Sequence, residues 1–236
     1  MKYIFLLIAL LIASCTSSHL YSPSFDLAHK SLKKDDYKAG AGMALFPESR
    51  PEFAGEYILD KPQKTDPGMY LFLGYGFTDN FSLHTKGWMD ISGYQNWNRG
   101  GASVSSLYRL PSGGNTEIFL SGTYGMVMGG ADIEGHGFAV SMHGKHNGGD
   151  FFRPYMSLSL IYGFHDISDK FVNEKGEEAY QHGYSIMPQP GISISLTRDI
   201  SINAELALIY QYNNFDDVSH FIPAPSISIT YSLKNK

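Results

Sequence analysis

The residues of this chain that could do chemistry are one cysteine, Cys15, and a few scattered acids and histidines. The Cys15 thiol can carry a covalent group. His165 and Asp166 are adjacent, and a carboxylate that orients a histidine lets that histidine activate water. Asp90 lies far from this pair in the sequence. Hydrolysis requires such side chains to converge, so the elements that carry them decide whether a site exists.

Cys15 follows a short N-terminal segment with a positive start at Lys2 and an apolar run over residues 4–11. A run of this length is too short to anchor a helix across a bilayer and is typical of a secretory signal peptide. The residues Ile12-Ala13-Ser14-Cys15 resemble the lipobox of bacterial lipoproteins. The resemblance implies a signal peptide over 1–14, cleavage before Cys15 and a diacylglycerol on its sulfur. Ordinary signal cleavage beside an incidental cysteine is the alternative.

The composition favours a membrane protein rich in strands. Of the 236 residues only 17% are charged, 14% are aromatic and 25 are glycine. Lipid-facing strand positions must be apolar, and lumen-facing ones are often small. The 18 basic and 23 acidic residues leave a mild negative charge, so we expect no nucleic-acid partner.

Strict alternation of apolar and small or polar residues runs through most of the chain after about residue 37. Two stretches show it best, 152–164 and 200–212. A period of two indicates β-strands, and each stretch is long enough to cross a membrane when tilted. The same pattern fits about ten segments, which are 37–46, 68–77, 81–91, 100–110, 116–128, 134–145, 151–164, 184–196, 200–212 and 221–233.

Connections after the even-numbered segments are short, and those after the odd-numbered ones are mostly longer. This organisation predicts an all-β, antiparallel up-and-down transmembrane β-barrel with both termini periplasmic. The domain division is then a signal peptide over 1–14, a lipidated tether over 15–36 and the barrel over 37–234. The alternative is a soluble barrel or sandwich on a lipid tether, with its apolar faces turned inward. Its outer faces would carry few charges, which is unusual for a water-exposed surface.

Two of the short turns are near copies, 77–82 and 196–201. Each is a three-residue loop that ends in Asn80 or Asp199, residues that tolerate the left-handed conformation. These turns resemble the periplasmic turns of small outer-membrane β-barrel proteins. The resemblance implies a protein of the Gram-negative outer membrane, lipid-anchored through Cys15, in contact with outer-membrane lipid.

The alternation places a set of charged side chains inside the barrel, where they can pair and fill the lumen. Arg109 and Glu117 are equally spaced about Gly113, which predicts that they face each other across a hairpin. Glu205 is expected to join a charge network, because an isolated charge in a narrow lumen is costly. The predicted lumen network is Lys38, Lys86, Arg109, Glu117, Arg153 and Glu205. A binding or proton site is the functional alternative to structural neutralisation.

Asp90 at the end of the third segment and His165-Asp166 at the end of the seventh are similar in place to the acids and the Asp-His pair of the omptin proteases. Only one acid stands at the first position, and adjacent residues of a strand point to opposite faces. Serine with His84 or His143 is the other hydrolase arrangement, without a nucleophile motif around it. We therefore expect no catalytic residues, no cofactor and no metal.

The function expected from sequence is that of a non-enzymatic outer-membrane barrel lipoprotein, structural or surface-binding through its long extracellular loops. An extracellular partner or ligand would meet those loops, and the loop 165–183 is rich in charge. A narrow pore and an outer-membrane hydrolase, omptin-like or lipid-modifying, are the alternatives.

Overall fold

The computed structural model describes residues 32–47, 65–91, 99–129, 132–149, 151–166, 180–213 and 218–233. Every strand in this part of the chain pairs antiparallel with both neighbours, and β1 pairs with β10, so the sheet closes into a barrel. The predicted fold class is confirmed. The strands are β1 (Tyr37–Pro47), β2 (Thr65–Gly76), β3 (Phe81–Asp90), β4 (Arg99–Leu110), β5 (Thr116–Gly129), β6 (Asp132–His146), β7 (Phe152–Asp166), β8 (Tyr180–Ser195), β9 (Ile200–Asn213) and β10 (Val218–Leu233).

The two rims of the barrel differ in how their strands are connected. At one rim, here called the short-turn rim, four turns join β2 to β3, β4 to β5, β6 to β7 and β8 to β9. β1 starts and β10 ends at this rim, with Tyr37 opposite Leu233. At the other rim the connections 48–64, 91–98 and 167–179 are longer, whereas β5 and β6 are separated only by 130–131.

The apolar face of each strand points out of the barrel. Leu160 of β7 is 57% exposed and Val140 of β6 is 59% exposed, whereas their chain neighbours Ser159, Ile161 and Ser141 are buried. A soluble barrel would have the reverse arrangement. A closed sheet has no free edge, and its apolar exterior can face hydrocarbon, which are two requirements for strands that cross a lipid bilayer.

Aromatic side chains mark both ends of the apolar exterior. Near the short-turn rim they include Tyr37, Phe77, Tyr108, Phe152 and Tyr231. Towards the opposite rim they are Phe138, Tyr162, Tyr184, Tyr210 and Phe221. Two such girdles around an apolar band are the pattern of strands that cross a bilayer and meet its interfaces at each end.

The two matched turns close through a threonine. The amide of Phe81 donates to Thr78 Oγ1 at 2.9 Å, and the amide of Ile200 donates to Thr197 Oγ1 at 3.0 Å. The prediction that Asn80 and Asp199 adopt the left-handed conformation is wrong. Among the described non-glycine residues only Asp35 has a positive φ. The threonine hydroxyl accepts a hydrogen bond from the first amide of the following strand. The turn therefore closes without a residue in the left-handed conformation.

The β4–β5 hairpin turns about Gly114. Gly114 has a φ of 70°, and Leu110 pairs with Ile118. Arg109 therefore lies opposite Phe119 in the register, but it still contacts Glu117 across the hairpin as predicted, by reaching it diagonally. The left-handed conformation falls on the second glycine of the turn, which moves the hairpin centre one residue past Gly113.

Candidate functional site

The lumen is lined mainly by serine, with a few charged residues and histidines among them. These side chains alternate with the lipid-facing ones along each strand, so they are almost all buried within the barrel. A lumen so lined offers hydrogen bonds throughout its described length. The buried polar set is Lys38, Ser82, His84, Ser103, Ser105, Glu117, Ser121, Ser141, His143, Lys145, Ser157, Ser159, Ser185, Gln189, Ser193, Ser201, Asn203, Glu205, Ser226, Ser228, Thr230 and Ser232.

Glu117 is the centre of an ion-pair cluster near the short-turn rim. Its Oε2 lies 2.6 Å from Lys145 Nζ, and its Oε1 accepts a hydrogen bond from Arg109. Lys145 lies directly across from Glu117 on β6, and Arg109 reaches it diagonally from β4. The structure thus brings together two members of the predicted network. It adds Lys145, which alternation places inside the barrel without indicating its partner.

Glu205 is held by hydrogen bonds from three neighbouring strands. Tyr155 Oη donates to its Oε1 at 2.6 Å, Gln189 Nε2 donates to its Oε2 at 2.7 Å, and Ser226 Oγ donates at 3.4 Å. Tyr155 reaches Glu205 from β7 by crossing Gly191 of β8, where any Cβ would meet the tyrosine ring. The pairing of Glu205 with Lys86, Arg153 or Lys38 stays a prediction.

The other cations of the predicted network, Lys38, Lys86 and Arg153, have contacts with aromatic rings or with a backbone carbonyl. Lys38 Nζ is 5.7 Å from the centre of the Phe72 ring, and Lys86 Nζ is 4.3 Å from that of Tyr70. An ammonium group over an aromatic face is stabilised by the ring quadrupole. Arg153 lies at the short-turn rim, where its Nε donates to the carbonyl of Gly149 at 3.1 Å.

His143 is bonded to a serine through each ring nitrogen. Nε2 lies 2.8 Å from Ser121 Oγ and Nδ1 lies 2.7 Å from Ser157 Oγ. His84 makes a single bond of this kind, with Ser82 Oγ 2.9 Å from its Nε2. One serine must donate to the His143 ring and the other must accept from it, because a neutral imidazole has one donor and one acceptor. Alternation predicts that His143 faces inward, but the serine contacts depend on the register.

The short-turn rim is closed by residues 32–36, which the sequence division assigns to the tether. The amide of Asp35 donates to the carbonyl of Gly76 at 2.8 Å, and the amide of Gly76 donates back to Asp36 at 3.0 Å. Lys34 donates its amide to Asp79 Oδ1 at 3.2 Å. Leu32 enters the barrel, where it is buried beside Leu107 and Phe119. The cavity left there is about 10 Å³, room for one water molecule.

The candidate hydrolase residues lie at strand ends. Asp90 ends β3 and Asp166 ends β7, with His165 before it. The side chains of these three lie outside the described residues. Within the described part of the chain no group of three or more His, Cys, Asp or Glu side chains could hold a metal ion. Cys15 also lies outside the described residues. In that same part of the chain no helix is long and apolar enough to cross a membrane.

Comparison with known proteins finds related architectures but no relative by sequence. No protein-family model matches the chain, and no curated protein matches it. Among solved structures, it is similar to Ail, the attachment invasion locus protein of Yersinia pestis, at 12% identity and a TM-score of 0.36 over 85% of this chain and 99% of that one.

Two further structures are similar over most of their length. The outer-membrane protease OmpT of Escherichia coli aligns at 7% identity and a TM-score of 0.44, over 86% of this chain and 99% of that one. The KdgM porin aligns at 12% identity and a TM-score of 0.40, over 84% and 99%. The strands of the described part of this chain close into an antiparallel β-barrel of ten strands. At this level of identity the similarity concerns the fold alone.

Proposed function

We propose that this protein is a non-conducting, non-enzymatic lipoprotein of the Gram-negative outer membrane that is structural or binds a partner through its long loops. The observation that carries the proposal is the filled lumen. Leu107 and Phe119 are buried inside the barrel, Tyr70 and Trp88 are buried over Gly42 of β1 and Gly101 of β4, and Leu32 is buried at the short-turn rim. A filled barrel is a rigid frame for the loops at the rim opposite the short turns.

The loops supply the surface that a partner would meet. Residues 48–64, 91–98 and 167–179 connect strands at the rim opposite the short turns, which is the extracellular rim of this fold. The segment 167–179 holds most of the charged residues of the loop that the sequence analysis singled out. Long, charged loops on a rigid barrel suit recognition of a polar surface outside the cell.

In planar lipid bilayers we expect the full-length protein to produce no stepwise current. Ion passage needs a continuous water path, and buried side chains occupy the lumen. Single-channel recording over a range of voltages is the measurement. Reproducible current steps from the wild-type protein would contradict the proposal and support a narrow pore.

Leu32→Ser is the matched control for this recording. It removes the apolar side chain that closes the short-turn rim but leaves Leu107 and Phe119 in place. We expect the variant to be silent as well. Current from the variant alone would mean that residues 32–36, rather than the filled lumen, hold the barrel closed.

One observation favours the hydrolase alternative: His143 forms hydrogen bonds with two serines. His143 is only 3% exposed, however, and it lies in the filled part of the lumen. A hydrolytic site needs room for a substrate atom beside the nucleophile and the base. We therefore infer that these bonds satisfy a buried imidazole.

The lipid anchor is part of the same proposal. Intact mass spectrometry of the mature protein is expected to show cleavage before Cys15 and a mass increase of one diacylglycerol plus an amide-linked acyl chain. Cys15→Ser should abolish this increase but leave the protein in the membrane, because the barrel itself holds it there. An unmodified Cys15 in the wild type would refute the anchor without affecting the barrel.

A further inference from the structure

A row of charged side chains follows the inner wall of the barrel at the short-turn rim, with one residue from each of four neighbouring strands. Arg109 of β4 reaches Glu117 of β5 diagonally, and Glu117 lies directly opposite Lys145 of β6. Lys145 lies opposite Tyr155 of β7, and Arg153 precedes Tyr155 by two residues, so Arg153 is a diagonal neighbour of Lys145. Diagonal neighbours are about 7–8 Å apart, within reach of long side chains. The row therefore consists of a cation, an anion and two further cations.

The interval between Lys145 and Arg153 has two positive charges and no carboxylate among the described side chains. One oxygen of Glu117 pairs with Arg109 and the other with Lys145, so both are in use. None of the ion pairs within the described part of the chain includes Arg153. The like charges of Arg153 and Lys145 repel each other. Two cations so placed favour a negative charge between them.

The contacts of Glu205 hold its carboxylate at a distance from this interval. Glu205 belongs to β9, two strands from Arg153, and the register places it level with Tyr155, one inward position further from the rim. Its two oxygens accept hydrogen bonds from Tyr155, Gln189 and Ser226. A counterion between Lys145 and Arg153 must therefore come from elsewhere.

Arg153 has the position and the donors to bind an anion. It follows Phe152 of the aromatic girdle at the short-turn rim, so its half-buried side chain lies where the lumen meets water. Its Nε donates to the carbonyl of Gly149 at 3.1 Å, which fixes the guanidinium. The remaining N–H groups form a planar fork that suits two oxygens of one anion. An anion at this position approaches from water and needs no cavity in the filled lumen.

We propose that a phosphate group binds to Arg153 at the short-turn rim, in front of Lys145. Inorganic phosphate or a phosphate monoester carries about 1.5–2 negative charges near neutral pH, so one group compensates both cations. A carboxylate or a lipid phosphodiester carries a single charge and compensates only one of them. The side chain of Lys145 is 4% exposed, so Lys145 acts through its charge, whereas Arg153 makes the hydrogen bonds.

Calorimetric titration with inorganic phosphate tests the proposal. The full-length protein is folded in dodecyl maltoside micelles, a phosphate-free detergent that leaves both rims open to solution, and the ionic strength is held constant. We expect saturable binding of one phosphate per barrel in the wild type. Arg153→Gln should weaken this binding by at least about tenfold, because it removes charge-assisted hydrogen bonds. The absence of saturable binding in the wild type would overturn the proposal.

Arg198→Gln is the matched control, because Arg198 is an exposed cation of the β8–β9 turn at the same rim. It removes the same charge without touching the row, and we expect the phosphate affinity to be unchanged. An equal loss in Arg198→Gln and Arg153→Gln would indicate a general attraction to a positive rim, and it would overturn the site at Arg153.

Two further titrations identify what occupies the interval. Inorganic phosphate should stay bound when phosphatidylglycerol is added to the micelles, whereas its displacement would make a lipid headgroup the source of the phosphate group at the same site. Asp150 belongs to the β6–β7 turn and lies outside the described residues. We expect Asp150→Asn to bind phosphate at least as tightly as the wild type. Binding that appears only in Asp150→Asn would overturn the proposal, because the carboxylate of Asp150 would then be the counterion.

Discussion

Leu160→Arg is expected to lower the folding free energy of the barrel in lipid by about 2–4 kcal/mol. Leu160 stands in the middle of β7, points outward and has regular pairing on both sides, with Val140 of β6 and Ile186 of β8. An arginine there must place its guanidinium near the bilayer midplane. The measurement is reversible guanidinium unfolding in lipid vesicles, followed by the difference in gel mobility between folded and unfolded barrel.

Leu196→Arg is the matched control. Leu196 is as exposed as Leu160 but lies in the β8–β9 turn, where the new charge can reach water and the headgroups. Its expected cost is about 0–1 kcal/mol, because the penalty for a lipid-facing charge falls towards the interfaces. Equal costs at both positions would mean that the apolar exterior does not lie in a bilayer.

The strands could be predicted from sequence wherever they cross the apolar band, because there lipid-facing residues must be apolar and the alternate, lumen-facing residues are small or polar. At the short-turn rim the predicted and observed strand ends agree closely, as for β9, which begins at Ile200 in both. At the opposite rim most strands extend further than predicted, and β8 begins at Tyr180 rather than at 184. Residues 180–183 lie beyond the apolar band, where nothing requires an apolar face, so alternation carries no signal there.

The sequence predicts which side chains face the lumen, but it does not predict which of them contact each other. Alternation places Arg109, Glu117 and Lys145 inside, because the period of two fixes the face of every residue in a strand. It cannot say which of them meet, since a one-residue change in a turn shifts the register, as the Gly114 turn does here. Leu32 was missed because a five-residue segment without a period gives no sign that it folds back.

One sequence signal could have found part of the lumen packing. Gly40 lies opposite Phe72, Gly42 opposite Tyr70, and Gly101 opposite Trp88. In each pair an inward aromatic ring covers the glycine on the neighbouring strand, where a Cβ would collide with it. Tyr155 over Gly191 follows the same rule and leads to Glu205. An inward glycine directly opposite an inward aromatic residue of the next strand therefore indicates where a ring lies over the neighbouring strand inside the barrel.

Glu117→Gln is expected to destabilise the barrel by about 3–5 kcal/mol, the cost of leaving a buried charge without its counterion. The side chain of Lys145 is only 4% exposed, and Glu117 Oε2 lies 2.6 Å from its Nζ. The glutamine keeps the size and a hydrogen-bonding oxygen but removes the negative charge. Arg109 is one-third exposed and can turn towards water, so the penalty falls mainly on Lys145. Guanidinium unfolding of the wild type and the variant in the same vesicles gives the difference.

The double variant Glu117→Gln, Lys145→Met separates the loss of the ion pair from the loss of packing. Methionine keeps the unbranched apolar stem of Lys145 over the Phe119 ring and removes the charge that glutamine leaves uncompensated. We therefore expect the double variant to recover most of the stability lost in Glu117→Gln, and the cycle of single and double variants isolates the pair. A cost below about 1 kcal/mol for Glu117→Gln alone is what a solvent-exposed pair would give. That result would mean that water reaches Lys145 through the short-turn rim, and the lumen would then be more open than its buried side chains indicate.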